Sequence, residues 1–420
     1  MNWQKWIIAA AYQLKFVLFH ILPISWLRKV KEKMIQNNFQ RLHKLQLKSY
    51  ERGYYPAGVN LIGSIRAETG LGQSCRLLAN ELKHCSFPVK IINYIQVGNL
   101  SQKDTSWDQE IEKECCYSIN VVHINPHELG TAMIQLDREI WDRRYNIGFW
   151  LWELEEFPEQ WLPCLEYMDE IWTPSEFISC AIRKKTEKPV WTIPYAIEAE
   201  PISECGRSEF GLPNDQFLFL ILYDNNSITE RKNPQGAITA FRMAFSKQEE
   251  NVGLVIKINT PDKKELKQLR NQLDGYKNIY FIVKTLEKKK VNSLIACVDV
   301  VVSLHRAEGF GLVLAEAMFL GTPTIATNWS SNIEFMNSNI ACMVDYSLVE
   351  IQEDRGPFKR GQHWAEADLN QAAEYMKKLY KDENYREQIS KKAKDYIMEK
   401  LGMKQATKRI EARIKSILYQ

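Results

Sequence analysis

A chain of 420 residues exceeds what one hydrophobic core ordinarily supports, so two or three domains are expected. Hydrophobic residues make up 45% and charged residues 25%, which excludes a disordered chain and places this one among ordinary globular proteins. The formal net charge is only +3, and it is uneven: residues 1–50 carry nine Lys or Arg against the single acid Glu32, so the remainder is net acidic.

Met1 to Met34 is aromatic, apolar and basic at once. Trp3, Trp6, Ile7, Ala10, Leu14, Val17, Leu18 and Ile21 recur at helical steps, while Gln13, Lys15, His20 and Pro23 interrupt any membrane-spanning run. The small-residue cleavage site of a signal peptide is missing. The pattern predicts a helix lying in a membrane surface, with Trp3, Trp6 and Trp26 at headgroup depth and Arg28, Lys29, Lys31 and Lys33 on anionic lipid. Packing on the protein's own core or a dimer contact are the alternatives. A second amphipathic stretch, Val30 to Leu47, leads into the body.

Ala57 to Ser64 reads as a first parallel strand, followed by a glycine turn at Gly70-Leu71-Gly72 and a helix from Gln73 to Leu82. Asn120 to Asn125 is a further strand with His123 at its polar end, either an active-site residue or a packing residue; His127 is a weaker candidate of the same kind. Asn146 to Pro158 (NIGFWLWELEEFP) places Trp150, Trp152 and Glu153 after a strand. Aromatic faces stack on sugars and carboxylates bind hydroxyls, although the same Trp residues also suit interior packing. Pro189 to Ala196 closes the first half, and the polar span Ile197 to Gly206 is the expected hinge.

Phe217 to Tyr223 opens a second strand-and-helix half. Arg231 and Lys232 stand just before a helix, Gln235 to Phe245, and two cations at a helix start suit a diphosphate. Leu254 to Ile258 and Ile279 to Val283 are strands, and Lys288 to Lys290 reads as a solvated face, without the aromatic interleaving of a nucleic-acid patch.

Val298 to Leu304 is a buried strand ending at Gly309-Phe310-Gly311, after which Leu312 to Phe319 is helical. The helix start is a ready anion site. Glu308 precedes the turn and Glu316 lies within the helix. Carboxylates beside an anion site make sense where they accept hydrogen bonds from sugar or ribose hydroxyls, which points to a sugar nucleotide. Ala372 to Gln420 is helical in pattern.

From about Gly58 onward the chain resembles the retaining family 4 glycosyltransferases: Glu308, seven residues, then Glu316, with EGFGL, LAEAM, LGTPTIAT and the run to Asn332. The resemblance implies an α/β chain of GT-B fold, two Rossmann-like domains facing across a cleft. It implies that Glu308 faces the transferred sugar and Glu316 holds the ribose. Gly72, Gly309, Phe310, Gly311, Leu312 and Asn332 would line the donor site, with Lys232 on the phosphates. The family's phosphate-binding Arg falls on Asn226, so Arg231 is expected to substitute. Its Phe-His pair is replaced by Trp152-Glu153, as in a branch that carries Trp-Glu-Leu and then Ile-Trp-Thr-Pro-Ser (Ile171 to Ser175); by resemblance to that branch GDP-mannose is the preferred donor. In that setting Trp150 and Trp152 are acceptor-side candidates, and Glu153 and His123 catalytic ones. Val344 to Trp364 resembles a loop of the same branch.

The implied domains are a basic helical extension (1–50), an acceptor domain (51–200), a nucleotide-sugar domain (201–385) and C-terminal helices (386–420) bracing the acceptor domain. The implied acceptor is a glycan or lipid-linked oligosaccharide in surface polysaccharide assembly. No Asp-x-Asp occurs, so no metal or other cofactor is expected. Nine cysteines, an odd number without Cys-x-x-Cys, read as reduced thiols in a cytoplasmic compartment, peripheral to the inner membrane face. A catalytically silent sugar-nucleotide-binding subunit and a sugar-nucleotide epimerase are the rival readings.

Overall fold

Two parallel sheets of six strands each organise the chain. The computed structural model describes residues 47–96, 101–224, 228–259, 261 and 263–419, with isolated positions between 30 and 40. The surface helix expected over residues 1–34 therefore lies outside the described residues but for those few positions. No helix among the described residues is long and apolar enough to cross a membrane.

The first sheet contains β1 (Val59–Gly63), β2 (Val89–Asn93), β3 (Ile119–His123), β4 (Tyr145–Phe149), β5 (Glu170–Thr173) and β6 (Val190–Thr192), in the order β2-β1-β3-β4-β5-β6. Its central strands are continuous buried runs because helices such as α1 (Gly70–Lys83), α2 (Pro126–Gln135) and α3 (Glu176–Arg183) cover the faces. The second sheet contains β7 (Phe217–Asp224), β8 (Val252–Asn259), β9 (Ile279–Ile282), β10 (Val300–Ser303), β11 (Thr324–Thr327) and β12 (Cys342–Val344), in the order β12-β11-β10-β7-β8-β9. Its helices are α4 (Thr229–Lys232), α5 (Pro234–Ala244), α6 (Lys263–Gln272), α7 (Lys288–Cys297) and α8 (Leu312–Leu320). In each sheet the first strand lies between strands that run off in opposite order. That reversal opens a crevice beyond the carboxyl ends, where ligands of open α/β sheets bind.

Three helices end the chain: α9 (Leu369–Lys381), α10 (Glu383–Lys400) and α11 (Met403–Tyr419). Asp382 caps α10 by accepting the Tyr385 amide at 2.9 Å, so a boundary at 385/386 falls within the first turn of a continuous helix. The α10 helix packs on α8, and α11, beyond Gly402, lies on α1 of the first half. There Ile410 and Ile414 share a core with Leu78 and Leu82. Arg413 Nε reaches the fully buried Glu170 at 3.0 Å, and Glu170 also accepts the Trp172 indole at 2.7 Å.

Within Val344 to Trp364 the loop is the tip of a hairpin. Tyr346–Glu350 (β13) pairs antiparallel with His363–Ala367 (β14), a hairpin whose first strand is largely exposed and so lacks an apolar alternation to announce it. Its tip returns Phe358 into the core of the first half, 5.3 Å from the Trp152 ring.

Candidate active site

The donor-like segment leaves β10, passes Glu308, turns at Gly309 to Gly311 and enters α8. Gly311 caps that helix with φ +97°, a left-handed conformation that penalises any side chain. The Glu308 amide is fixed by the Ser330 hydroxyl at 2.9 Å.

Glu308 pairs directly with Lys232, and its other oxygen lies 3.4 Å from Arg231. Arg231 donates to the Ala307 carbonyl at 2.8 Å and lies 3.9 Å from Glu153, which comes from the first half. Two cations and two carboxylates from three segments thus meet across the cleft. Burial alone would raise the Glu308 carboxyl, but Lys232 and then Arg231 outweigh it and hold it at about 2. Burial raises Glu153, with Arg231 opposing, and lowers the Lys232 ammonium despite Glu308. Asn226, where the family's Arg would fall, lies outside the described residues.

The Ile-Trp-Thr-Pro-Ser element closes on the same turn. Ser175 donates to the Gly309 carbonyl at 3.2 Å and meets the Ser331 hydroxyl at 2.8 Å. Glu334 accepts the amides of Glu176 and Phe177 at 3.0 and 2.9 Å, capping α3 from the opposite half. The Phe310 side chain is a buried wedge between Tyr195 and Phe335, with ring centroids 4.9 and 5.1 Å away, which leaves only its backbone for a donor. Leu312 packs on that core as well.

Glu316 is 2% exposed and pairs with Lys288 at 2.6 Å, so Lys288 is no part of a solvated face. Asn332, also expected at the donor, is fully buried: its Oδ1 accepts from His305 Nε2 at 3.0 Å in the tautomer that carries the proton there, and its amide nitrogen donates to the Thr327 carbonyl at 3.0 Å. Its role in the structure is to hold His305 and the turn. Gly72 lies in the first turn of α1, where its amide donates to the Thr69 cap. A Cβ there would lie 1.9 Å from the Ala67 carbonyl oxygen, which Arg76 also binds, at 3.0 Å.

His123, Trp150 and Trp152 are corrected by burial. His123 is fully buried, stacked on Phe149 at 5.0 Å and joined to Ser74 at 2.6 Å; burial pushes its imidazole down to about 4, so it is neutral. It lines a small cavity with Ser64, Tyr94, Asn125 and His127. Trp150 stacks on Phe157, and Trp152 donates to the Glu156 carbonyl at 2.9 Å and packs on Trp161; both are fully buried, so neither offers a face to a sugar. Glu153 lies beside Arg231, in the cluster that holds Glu308. His305 and Arg306 are not singled out by the sequence, and Lys288 reads there only as part of a solvated face. The first two stand within the four residues before Glu308, and that proximity is the one signal available for them.

Residues 207–396 match the family of glycosyl transferases group 1. Among curated protein sequences no match is found. Among solved structures the chain is similar to HepE of Anabaena in complex with UDP and glucose, with a TM-score of 0.59 at 13% identity over 86% of this chain and 100% of that one. It is similar also to sucrose-phosphate synthase from Thermosynechococcus elongatus, with a TM-score of 0.61 at 13% identity over 86% and 99% of the two chains. A glycosyltransferase from Rickettsia africae gives 0.60 at 12% identity over 87% and 100%. At these identities the likeness concerns the fold, which is GT-B. The group 1 match spans the half that carries Arg231, Lys232, Glu308 and Glu316, and the chain is a glycosyltransferase of GT-B fold related to that group.

Proposed function

We propose that the protein is a retaining glycosyltransferase that moves a hexose from a nucleotide sugar to a glycan or lipid-linked oligosaccharide. The observation that carries this reading is the meeting of Arg231, Lys232 and Glu308 at the start of α8. In it, Arg231, Lys232 and the helix end take the charge that develops on the departing diphosphate, so no metal is required. Glu308 is released to the sugar hydroxyls as the diphosphate displaces it, and Glu316 serves the ribose. Neither carboxylate is then free to act as in a retaining glycosidase, so the acceptor attacks from the face the diphosphate leaves, and the diphosphate takes its proton.

Mannose from GDP-mannose is the preferred donor on the Trp-Glu-Leu resemblance; the UDP bound by HepE favours a UDP-sugar instead. Thermal-shift measurements against GDP- and UDP-sugars decide between them. Slow donor hydrolysis, lost in Glu308→Ala and Lys232→Ala, is expected of an enzyme, and its absence with every donor would leave a silent binding subunit.

The acceptor reading extends to residues 1–33, which we place on an anionic membrane surface at the inner face of the cell membrane. Deleting them is expected to release the protein from anionic liposomes while donor binding persists. Unchanged sedimentation with liposomes would refute it.

A further inference from the structure

Resting on that reading, we infer that Arg306 is the positioning residue of the diphosphate site, and that the β13–β14 hairpin holds Arg306 for this purpose. The α4 helix, which presents Arg231 and Lys232, is a single turn, too short to hold itself. Within it, Arg231 donates to the Ile228 carbonyl at 3.1 Å and Asn233 to the Thr229 carbonyl at 3.0 Å. The next acceptor, the Glu230 carbonyl, would look four residues on for an amide and meets Pro234, which has none. Asn233, with φ +48°, then ends the turn in a left-handed conformation.

Arg306 supplies what is missing. Its Nη1 donates to the Glu230 carbonyl at 2.9 Å, and its backbone amide donates to the Arg231 carbonyl at 2.7 Å. Both carbonyls immediately before Lys232 are therefore satisfied by one residue, two positions ahead of Glu308.

The Arg306 fork is fixed in turn by β14. Nε and Nη2 bind one oxygen of Glu366 at 2.7 and 2.6 Å, and the guanidinium lies 5.3 Å over the Trp364 ring. The intervening Ala365 amide donates to the Arg306 carbonyl at 2.9 Å. The second Glu366 oxygen accepts from Asn233 at 3.4 Å, so the same carboxylate touches the far end of the turn. A planar fork is needed to reach Glu366 and the Glu230 carbonyl together while lying over an indole; the point charge of a lysine cannot do this.

The inference is tested by titrating the full chain with the nucleoside diphosphate and the matching monophosphate of whichever base it binds. The ratio of the two affinities reads the contact of the terminal phosphate with Arg231 and Lys232. Arg306→Lys and Glu366→Gln are each expected to lower that ratio about tenfold while monophosphate affinity stays within about twofold. Neither change is expected to add to that of Lys232→Ala, through which both act. Thermal unfolding without ligand identifies a variant that has lost its fold, and Glu366→Gln, which keeps an acceptor for Arg306, is the milder of the pair. An unchanged ratio in a folded variant, or equal weakening of both nucleotides, overturns the inference alone. Wild-type protein that binds neither UDP nor GDP overturns the glycosyltransferase reading and this inference with it.

Discussion

Arg231 and Glu308 meet at 3.4 Å, and Lys232 closes on the same carboxylate, so both cations are paired with one side chain of their own half. Glu308 occupies them as an internal anion.

Glu308→Gln is therefore expected to separate binding from chemistry. Transfer falls by about 100-fold or more as the carboxylate at the sugar is lost, whereas free nucleoside diphosphate binds about three- to tenfold tighter once its competitor is gone. Calorimetry alongside a transfer assay reads both. Weaker diphosphate binding in this variant would contradict the internal-anion arrangement.

Stability should depend on pH in two separate windows. His123 has its imidazole lowered by burial from 6.5 to about 4, so as pH falls below 6.5 the unfolded chain takes a proton that the folded chain refuses. Stability is then lost at up to about 1.4 kcal/mol per pH unit until pH approaches 4. Glu308, held at about 2, contributes stability that is present above 4.5 and lost as pH falls from there towards 2. In His123→Gln the unfolding midpoint should be flatter between pH 6.5 and 4.5 than in wild type. Parallel curves would remove His123 from the account.

Gly72→Ala would set a methyl against the Ala67 carbonyl at 1.9 Å, and backbone must move to admit it. The loss is expected to be about 2–3 kcal/mol of stability, measured by denaturant unfolding. Retention of wild-type stability would mean that the start of α1 relaxes freely.

Arg413→Ala leaves the buried Glu170 without its cation and is expected to cost about 2–4 kcal/mol in the same unfolding measurement. The double variant Arg413→Met with Glu170→Gln should recover part of that loss, since it removes both charges together.

The second half was the more legible in sequence. β10 is a β-branched run closed by glycines, and Arg231 and Lys232 announce themselves as cations at a helix start. What stayed hidden depends on contacts between distant segments. An indole that stacks on a sugar and one that fills a core are the same residue, so only the packing of Trp161 and Phe358 decides for Trp152. Glu153 gains its meaning from Arg231 in the opposite half. Asn332 and Phe310 sit within a recognisable motif yet face inward, because motif spacing fixes the path of the backbone and not the direction of each side chain. The hairpin escaped because its strands are half polar and its purpose lies in Arg306.

The seating of α11 on α1 has a consequence for biosynthesis. The first sheet is complete in the growing polypeptide once β6 has emerged, but the isoleucines that cover Leu78 and Leu82 emerge only after the whole second half has been made. Until then the amino-terminal half carries bare apolar surface. Its consolidation waits on that later segment, and a chain truncated before α11 should yield aggregated product, not a soluble amino-terminal half.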